Sequence, residues 1–464
     1  MTKIQDYQKY FLFFFLIVSL IFTRFFNINH EDLWFDEIIS FWISDPEISF
    51  KETIFRNEQF NNSHKLYHLI LKLYFKFFHY IPEYGRYLNI FFDLFSLLLL
   101  LKLIQSIKKN HSYFLLALLL IFNHYLISYA HELRTYSFFF FISSLSIFLF
   151  FEIYFKQNVN KFFYILYFFT SVAGLFTHNF YFIIFFSKII FCLYEQIILK
   201  IKNSFFFFIL ILSLCSYLVF ELKIITGNLS IRDFWTPKIS KNFWYDFFFS
   251  RFFGSKIVGT LHLLIFIFLV VFFFKKILQN RKLSFFLLLF FLCYFIPLTY
   301  SILIIPVFID RFIIFVLIPL FFLVSLLTVL LKKKTQTYIL LALLISNLSH
   351  YVFTNYKRVS NKPEFSKSIQ KINESDNKFV ILQSKIEYYL ALKNYFKNIK
   401  KVDSKQIKII EKKDLNTQMV FWQLCYEPIN DFNCFEDLLK NKKYSVSEEA
   451  KFKLIKLYKF TTTK

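Results

Sequence analysis

The chain has 464 residues, of which 57% are apolar, and a formal net charge of +24; its mean hydropathy is +0.49. A composition this apolar excludes an ordinary soluble globular protein and indicates an integral membrane protein. Phe contributes 74 residues and Gly only 5, which excludes the glycine-rich loops of dinucleotide-binding and P-loop sites.

Apolar segments follow one another through the first three quarters of the chain. A membrane-crossing helix takes about 17 to 25 mostly apolar residues, and on that criterion the sequence predicts eleven spans, the first of them retained in the mature chain. Their approximate bounds are 11–27, 87–107, 112–129, 137–155, 162–179, 180–199, 204–225, 257–274, 284–305, 311–331 and 336–353.

Lysine and arginine cluster in alternate connections between these segments, for example at 108–109, 156–161 and 332–334. The positive-inside rule places those connections in the cytoplasm, so the basic charge reports topology and predicts no nucleic-acid partner. We therefore expect the N-terminus to be cytoplasmic. The loops 28–86, 130–136, 226–256 and 306–310 and the C-terminus are then extracytoplasmic.

The character of the sequence changes after residue 354. We divide the chain into a membrane domain, 1–354, and an extracytoplasmic domain, 355–464. Residues 378–383 and 419–424 read as strands, and 364–372 and 386–396 as helices, which predicts a small α/β domain. Cys425 and Cys434 can form a disulfide outside the cytoplasm, and two unpaired thiols are an equal alternative.

The first external loop places acids among aromatic residues directly after a span. Asp36 and Glu37 are neighbours, and adjacent helical side chains point about 100° apart, so we expect one to face the reaction and the other to bind a metal or a positive partner. Aromatic residues around them are expected to anchor an interfacial helix in the headgroups; these are Trp34, Phe35, Phe41 and Trp42. A solvated acidic loop is the alternative.

Further polar residues are expected at the same external face. The short turn between the third and fourth spans carries His131, Glu132, Arg134 and Tyr136, and ionisable groups at such a place favour function. Other candidates are His178 at the end of span five, Arg232 in the loop 226–256, and Arg311 at the start of span ten. A guanidinium suits planar recognition of phosphate, although a structural histidine and a snorkelling arginine are the simpler alternatives.

These motifs resemble, in chain order, those of glycosyltransferase family 39, a group of GT-C enzymes related to protein O-mannosyltransferases and the lipid A aminoarabinose transferase. Residues 34–37 are similar to its Trp-x-Asp-Glu element, 132–136 to its Glu-x-Arg-x-Tyr turn, and 177–180 to its Thr-His-aromatic element. Residues 305–311 are similar to its Pro-then-Arg-Tyr step, with Phe312 in place of Tyr. Residues 63–67 lack the prolines of its His-Pro-Pro-Leu-Tyr element.

The resemblance implies an all-α polytopic membrane bundle of GT-C type, with about eleven transmembrane helices. It also implies inverting transfer of a hexosyl or pentosyl group from a polyprenyl-phosphate donor, at the bacterial inner membrane, to a protein, lipid or glycan acceptor. Asp36 would be the general base, supported by Glu37, and Arg134 and Arg311 would hold the phosphate of the donor. The implied pocket residues are Glu132, Tyr136, His178, His64 and Tyr67.

Two questions stay open in the sequence. Asp36 or Glu37 fits a divalent cation, Mg²⁺ or Mn²⁺, as well as base catalysis. A polytopic transporter or flippase of lipid-linked glycans is the alternative function, although transporters usually carry ionisable groups near the bilayer midplane and show internal repeats.

The helix 64–80, with Lys65, Lys72 and Lys76, is expected to lie on the membrane and steer the phosphate. The C-terminal domain is expected to contact the acceptor.

Overall fold

A computed structural model shows a long helical bundle followed by a small mixed sheet. The structure describes residues 2–60, 65–107, 111–157, 160–198, 200, 204–225, 250–304, 306–357, 362–382, 386–400, 402–404, 406–411, 420–426 and 443–462. His64, Arg232 and Cys434, singled out above, lie outside these residues.

Helices separated by short connections make up the first part of the chain. Its helices are α1 (Thr2–Phe25), α2 (Phe35–Ile43), α3 (Phe50–Gln59), α4 (Lys65–Phe77), α5 (Pro82–Ile107), α6 (His111–Ile121), α7 (His124–Ala130) and α8 (Tyr136–Phe150), which continues as a π-helical turn (Phe151–Phe155). They are followed by α9 (Lys161–Thr177), α10 (Tyr181–Ile198) and α11 (Ser204–Ile225).

The bundle continues with further helices between Ser250 and Lys357. They are α12 (Ser250–Phe253), α13 (Lys256–Phe272), α14 (Phe274–Gln279), α15 (Arg281–Leu303), a 3-10 helix (Asp310–Val316) that leads into α16 (Leu317–Thr328), and α17 (Lys333–Lys357).

Each of the eleven predicted spans falls on one of these helices or on a helix with its continuation. By length and composition, six of the described helices can cross a membrane, and the bent pair α6–α7 makes a seventh. Four further apolar helices are shorter in the described residues, namely parts of α1 and α11 together with α9 and α13. The protein is therefore an integral membrane protein, and the number of eleven spans stays a prediction.

The break between α6 and α7 is stabilised by a buried ion pair. The helices meet at an angle of 52°, which leaves backbone carbonyls without their helical partners. Arg24 donates to the carbonyls of Leu120 and Ile121 at 3.0 and 2.7 Å and pairs with Asp93 at 2.6 Å. The intramembrane carboxylate therefore neutralises the arginine that caps the broken helix.

The short helix α2 lies inside the protein and not on the membrane. Phe35, Phe41 and Trp42 are each no more than 7% exposed, so the expectation that they anchor the helix in the headgroups is wrong. Phe41 stacks on Tyr80 at 4.0 Å between ring centroids, and Phe35 contacts Tyr426 of the C-terminal sheet. Packing against α4 and the C-terminal domain removes this apolar face from lipid.

Helix α4 is amphipathic, but its lysines divide between two environments. Lys72 is buried and donates to the backbone carbonyls of Asp45 and Ile48, both at 2.5 Å, and burial lowers its pKa. It therefore holds the connection after α2 and does not steer a ligand. Lys76 is exposed.

The C-terminal residues form a sheet with two helices. The elements are α18 (Phe365–Asn373), β1 (Phe379–Leu382), α19 (Ile386–Asn398), β2 (Lys408–Ile409), β3 (Phe421–Tyr426), β4 (Tyr444–Phe452) and β5 (Ile455–Thr462). The strand order is β2-β1-β3-β5-β4, with β1 parallel to β2 and β3 and the other pairs antiparallel. Cys425 on β3 is disulfide-bonded. Both predicted helices and both predicted strands are present, and helix α19 packs along α2.

Candidate active site

Helix α2 brings Asp36 and Glu37 to the junction between the bundle and the C-terminal domain. The helix begins after Trp34, whose backbone N–H donates to Glu37 Oε2 at 2.8 Å. A carboxylate in the first turn also meets the positive end of the helix. Asp36, one residue earlier, turns to the other side, where its side chain is 46% exposed. The two acids therefore occupy different environments.

Glu37 is fully buried, and both of its oxygens are engaged. Oε2 accepts from Lys362 Nζ at 2.7 Å; Oε1 accepts from the backbone N–H of Leu133 at 2.7 Å and lies 3.4 Å from Arg86 Nη2. Burial alone would raise the pKa of Glu37, but Lys362, Arg86 and these hydrogen bonds hold it below its ordinary value. This carboxylate ties together α2, α5, the turn at Leu133 and the linker after α17.

Asp36 faces two guanidinium groups. Its Oδ2 lies 3.5 Å from Arg134 Nη1 and 3.6 Å from Arg311 Nη1. Both arginines also lie over the ring of Tyr136, with Cζ at 5.7 and 5.9 Å from its centroid. Burial would lower the pKa of Arg134, yet Asp36 raises it above its ordinary value. One carboxylate between two permanent cations leaves a net positive charge on these three groups.

The turn that carries Arg134 is held from below by polar residues of α5. Asn89 Nδ2 donates to the backbone carbonyl of Arg134 at 2.8 Å and also to that of Glu132. Tyr67, buried on α4, donates to Asn89 Oδ1 at 3.1 Å, and burial raises its pKa. Tyr67 therefore supports the turn through Asn89.

Glu132 lies in the same turn and is half-buried. Burial raises the pKa of Glu132 to about 7, and the nearby carboxylate of Glu37 acts in the same direction. The cationic groups of Lys362, Arg311 and Arg134 oppose this rise. Its charge therefore changes near neutral pH, next to the two guanidinium groups that face Asp36.

His131, in contrast, is structural. Its Nε2 donates to the backbone carbonyl of Arg24 at 2.7 Å, and burial lowers its pKa to about 3. The neutral ring fixes the turn to the end of α1.

His178 ends α9 next to the same cluster. Its ring stacks on Phe139 with 4.7 Å between centroids and contacts Phe312, the neighbour of Arg311. Its Nδ1 accepts from the backbone N–H of Phe180 at 3.1 Å. His178 is 3% exposed, so it shapes the wall that positions Arg311.

Four residues that support the site were missed by sequence reasoning. Arg86 donates to the backbone carbonyls of Ile28, Glu31 and Asp32 at 2.9 to 3.0 Å, which fixes the loop before α2. The Asp32 carboxylate accepts from Ser366 N and Oγ at 2.7 and 2.6 Å and so caps α18. The other missed residues are Asn89 and Lys362. A polar side chain inside the predicted span 87–107 was the available signal for Asn89, whereas Arg86 lies one residue before that span.

The donor set around Asp36 does not suit a divalent cation. An ion on the Asp36 carboxylate would meet two guanidinium groups, and the oxygens of Glu37 are already occupied by cationic and backbone donors. Among the described residues, no three His, Cys, Asp or Glu side chains lie close enough to form a metal site. The arrangement fits an anion instead, because phosphate is the ligand that converging guanidinium groups favour.

Comparison with known proteins identifies the fold. No protein-family model and no curated protein matches the sequence. Among solved structures, ArnT from Cupriavidus metallidurans in the apo state is similar, with a TM-score of 0.58, 8% identity and coverage of 96% of this chain and 97% of that chain. The same protein bound to undecaprenyl phosphate has a TM-score of 0.56 and 7% identity over the same shares of the two chains.

An oligosaccharyltransferase from Archaeoglobus fulgidus, tethered with an acceptor peptide, is similar at a TM-score of 0.54 and 9% identity. The similarity covers 86% of this chain and 65% of that chain. The chain therefore has the same fold as these proteins, and the expected architecture is confirmed at the level of the fold.

Proposed function

We propose that this protein is a membrane glycosyltransferase that moves a sugar from a polyprenyl-phosphate donor to an acceptor on the extracytoplasmic face, with inversion at the anomeric carbon. The observation that carries the proposal is the half-exposed Asp36 carboxylate between the guanidinium groups of Arg134 and Arg311. The similar folds add weight, because one neighbour has been crystallised with undecaprenyl phosphate and another with an acceptor peptide.

The charges suit a phosphate that gains charge as it departs. A sugar linked to polyprenyl phosphate is a diester with one negative charge, and the leaving polyprenyl phosphate is a monoester with up to two. Two preorganised guanidinium groups stabilise that added charge more than they stabilise the donor. Arg134 and Arg311, currently facing Asp36, would then bind the phosphate oxygens.

The bond changes follow from this placement. The acceptor oxygen forms a bond to the anomeric carbon while the bond from that carbon to the phosphate oxygen breaks, and the bonding electrons stay on the phosphate. The acceptor proton passes to Asp36, whose carboxylate acts as the general base. Because attack and departure occur on opposite faces of the sugar, the configuration inverts. Glu37 takes no part in proton transfer and holds α2 in place.

A panel of synthetic polyprenyl-phosphate sugars tests the reaction class. Purified protein in detergent should consume at least one radiolabelled donor, and Asp36→Asn should abolish consumption. Glu58→Gln, an exposed acid of the same external loop, is the matched control and should keep wild-type rates. We expect a chelator to leave the rate unchanged, because the two guanidinium groups that face Asp36 disfavour a cation on this carboxylate.

The transporter alternative makes a different prediction for the same protein. A flippase would move the intact donor across a vesicle membrane without releasing free polyprenyl phosphate. Intact donor recovered on the opposite leaflet, with no sugar transferred, would replace the glycosyltransferase proposal.

A further inference from the structure

A crevice away from Asp36 separates the connection after α2 from the end of α4. It has a volume of about 670 Å³, within the range of about 300 to 1,000 Å³ typical of small-molecule sites. Glu47 and Ser49 line one side, and Lys76, Phe78 and His79 line the other. None of these residues belongs to the cluster around the two guanidinium groups, so the crevice is a separate feature.

The position of the crevice in the chain places it at the membrane surface. His79 and Tyr80 line it, and the membrane-crossing helix α5 begins two residues later at Pro82. Phe77 and Phe78, directly before His79 in the chain, are 84% and 57% exposed. Exposed aromatic side chains beside the end of a span are typical of the interface between headgroups and acyl chains. The crevice therefore opens where lipid headgroups lie.

One side of the crevice is suited to a phosphate. The ammonium of Lys76 lies 5.8 Å from the ring centroid of Phe50, the first residue of α3. His79 adds a second exposed nitrogen donor on the same wall. Lysine and a ring N–H are both groups that bind phosphate oxygens.

The opposite wall is suited to a cation. Glu47 is exposed there, and in the part of the chain that the structure describes neither Glu47 nor Lys76 forms a salt bridge. The crevice thus presents one available negative and one available positive group. A ligand that carries a phosphate and an ammonium on the same short chain satisfies both.

We propose that this crevice binds the phosphoethanolamine headgroup of a membrane phospholipid. The phosphate lies against Lys76 and His79, the ammonium pairs with Glu47, and the acyl chains run over Phe77 and Phe78. A quaternary ammonium cannot donate a hydrogen bond to Glu47, and a glycerol headgroup carries no positive charge. Phosphatidylethanolamine is therefore the preferred lipid over phosphatidylcholine and phosphatidylglycerol.

Native mass spectrometry of the delipidated full-length protein tests this binding without any need for sugar transfer. The protein is titrated with phosphatidylethanolamine, phosphatidylcholine, phosphatidylglycerol or undecaprenyl phosphate, and one-to-one complexes are counted. Lys76→Gln should weaken the binding of phosphatidylethanolamine about ten-fold, as expected for a lost charge-assisted hydrogen bond. Glu47→Gln should remove the preference over phosphatidylcholine.

Both substituted side chains are exposed, so neither change opens a cavity in the protein interior, and Lys51→Gln is the control at a third exposed position. Lys51→Gln should bind like the wild type, and Lys76→Arg should retain most of the binding. Equal retention of all three phospholipids, or wild-type binding by Lys76→Gln, would overturn the proposal. Preferential retention of undecaprenyl phosphate at Lys76 would also overturn it and would assign the crevice to a lipid of the donor type.

Discussion

The ion pair between Lys362 and Glu37 gives the sharpest prediction about stability. Lys362 follows the last helix of the bundle, is 4% exposed, and places its ammonium 2.7 Å from Glu37 Oε2. In Lys362→Met this contact is lost. The buried Glu37 carboxylate retains its ion pair with Arg86 at 3.4 Å and its hydrogen bonds from the backbone N–H groups of Leu133 and Trp34. The linker to the C-terminal domain is then released from α2.

The expected cost follows from the burial of the pair. Removing one partner of a buried ion pair leaves an uncompensated charge and typically costs about 3 to 5 kcal/mol. Because Glu37 retains Arg86 and two backbone donors, we expect about 3 kcal/mol, at the lower end. Lys367→Met is the matched control: the Lys367 side chain that pairs with Glu364 is exposed, and pairs at the surface contribute about 0 to 1 kcal/mol.

Thermal unfolding in detergent, followed by tryptophan fluorescence, is the assay. Lys362→Met should lower Tm clearly more than Lys367→Met does. In the double variant Lys362→Met/Glu37→Gln, the removal of the buried charge should recover part of the loss, with a coupling energy of about 1 to 3 kcal/mol. A Lys362→Met protein as stable as the control, or strictly additive effects, would refute the reasoning.

The same pair predicts how stability depends on pH. Because the pKa of Glu37 is lower in the folded state, the unfolded chain binds the proton first on acidification. The contribution of Glu37 is therefore present above about pH 4.3 and is lost as the pH falls further. In Lys362→Met the folded-state pKa of Glu37 rises toward the unfolded value, because burial is no longer opposed by the lysine, so this loss of stability on acidification should become smaller.

Three further outcomes are expected. Arg134→Lys and Arg311→Lys should each raise the KM for the donor about ten-fold or more in steady-state assays, because lysine cannot bind phosphate through two parallel bonds; unchanged KM values would remove both from the phosphate site. The pKa of Glu132 is about 7, so its carboxylate gains a negative charge beside the phosphate as the pH rises from 6 to 8. The KM for the donor should therefore rise over that range in the wild type and stay constant in Glu132→Gln. Parallel dependence of KM on pH in the two proteins would contradict this. Deletion of 360–464 should abolish both donor binding and transfer, because it removes Lys362, the partner of Glu37. If the deleted protein still binds the donor, the C-terminal domain acts only through contact with the acceptor, as the sequence analysis expects.

The segments of the fold could be predicted because each depends on local composition. Every predicted span coincides with a helix or a broken helix, and α18, α19, β1 and β3 lie within a few residues of their predicted bounds. The hairpin of β4 and β5 was not singled out. Tyr444–Phe452 carries serine, glutamate and lysine on a half-exposed edge strand, so its apolar pattern is too weak to identify it from sequence.

The site could be predicted only in part. Acids and arginines at predicted external turns pointed to Asp36, Arg134 and Arg311, which the fold brings together. The role of Glu37 depends on Lys362, which lies 325 positions away, and no local pattern contains that information. The aromatic residues of α2 were misplaced for the same reason, because a helix buried by a distant domain and a helix lying on lipid share the same apolar pattern.

Single-turnover transfer from a prebound polyprenyl-phosphate sugar tests the central claim most directly. In Asp36→Asn the donor should still bind, since Arg134 and Arg311 are released from the carboxylate, while sugar transfer should fall by about 10² to 10⁴-fold, as expected for the loss of a general base. Transfer at the wild-type rate by a folded Asp36→Asn protein would contradict the assignment of Asp36.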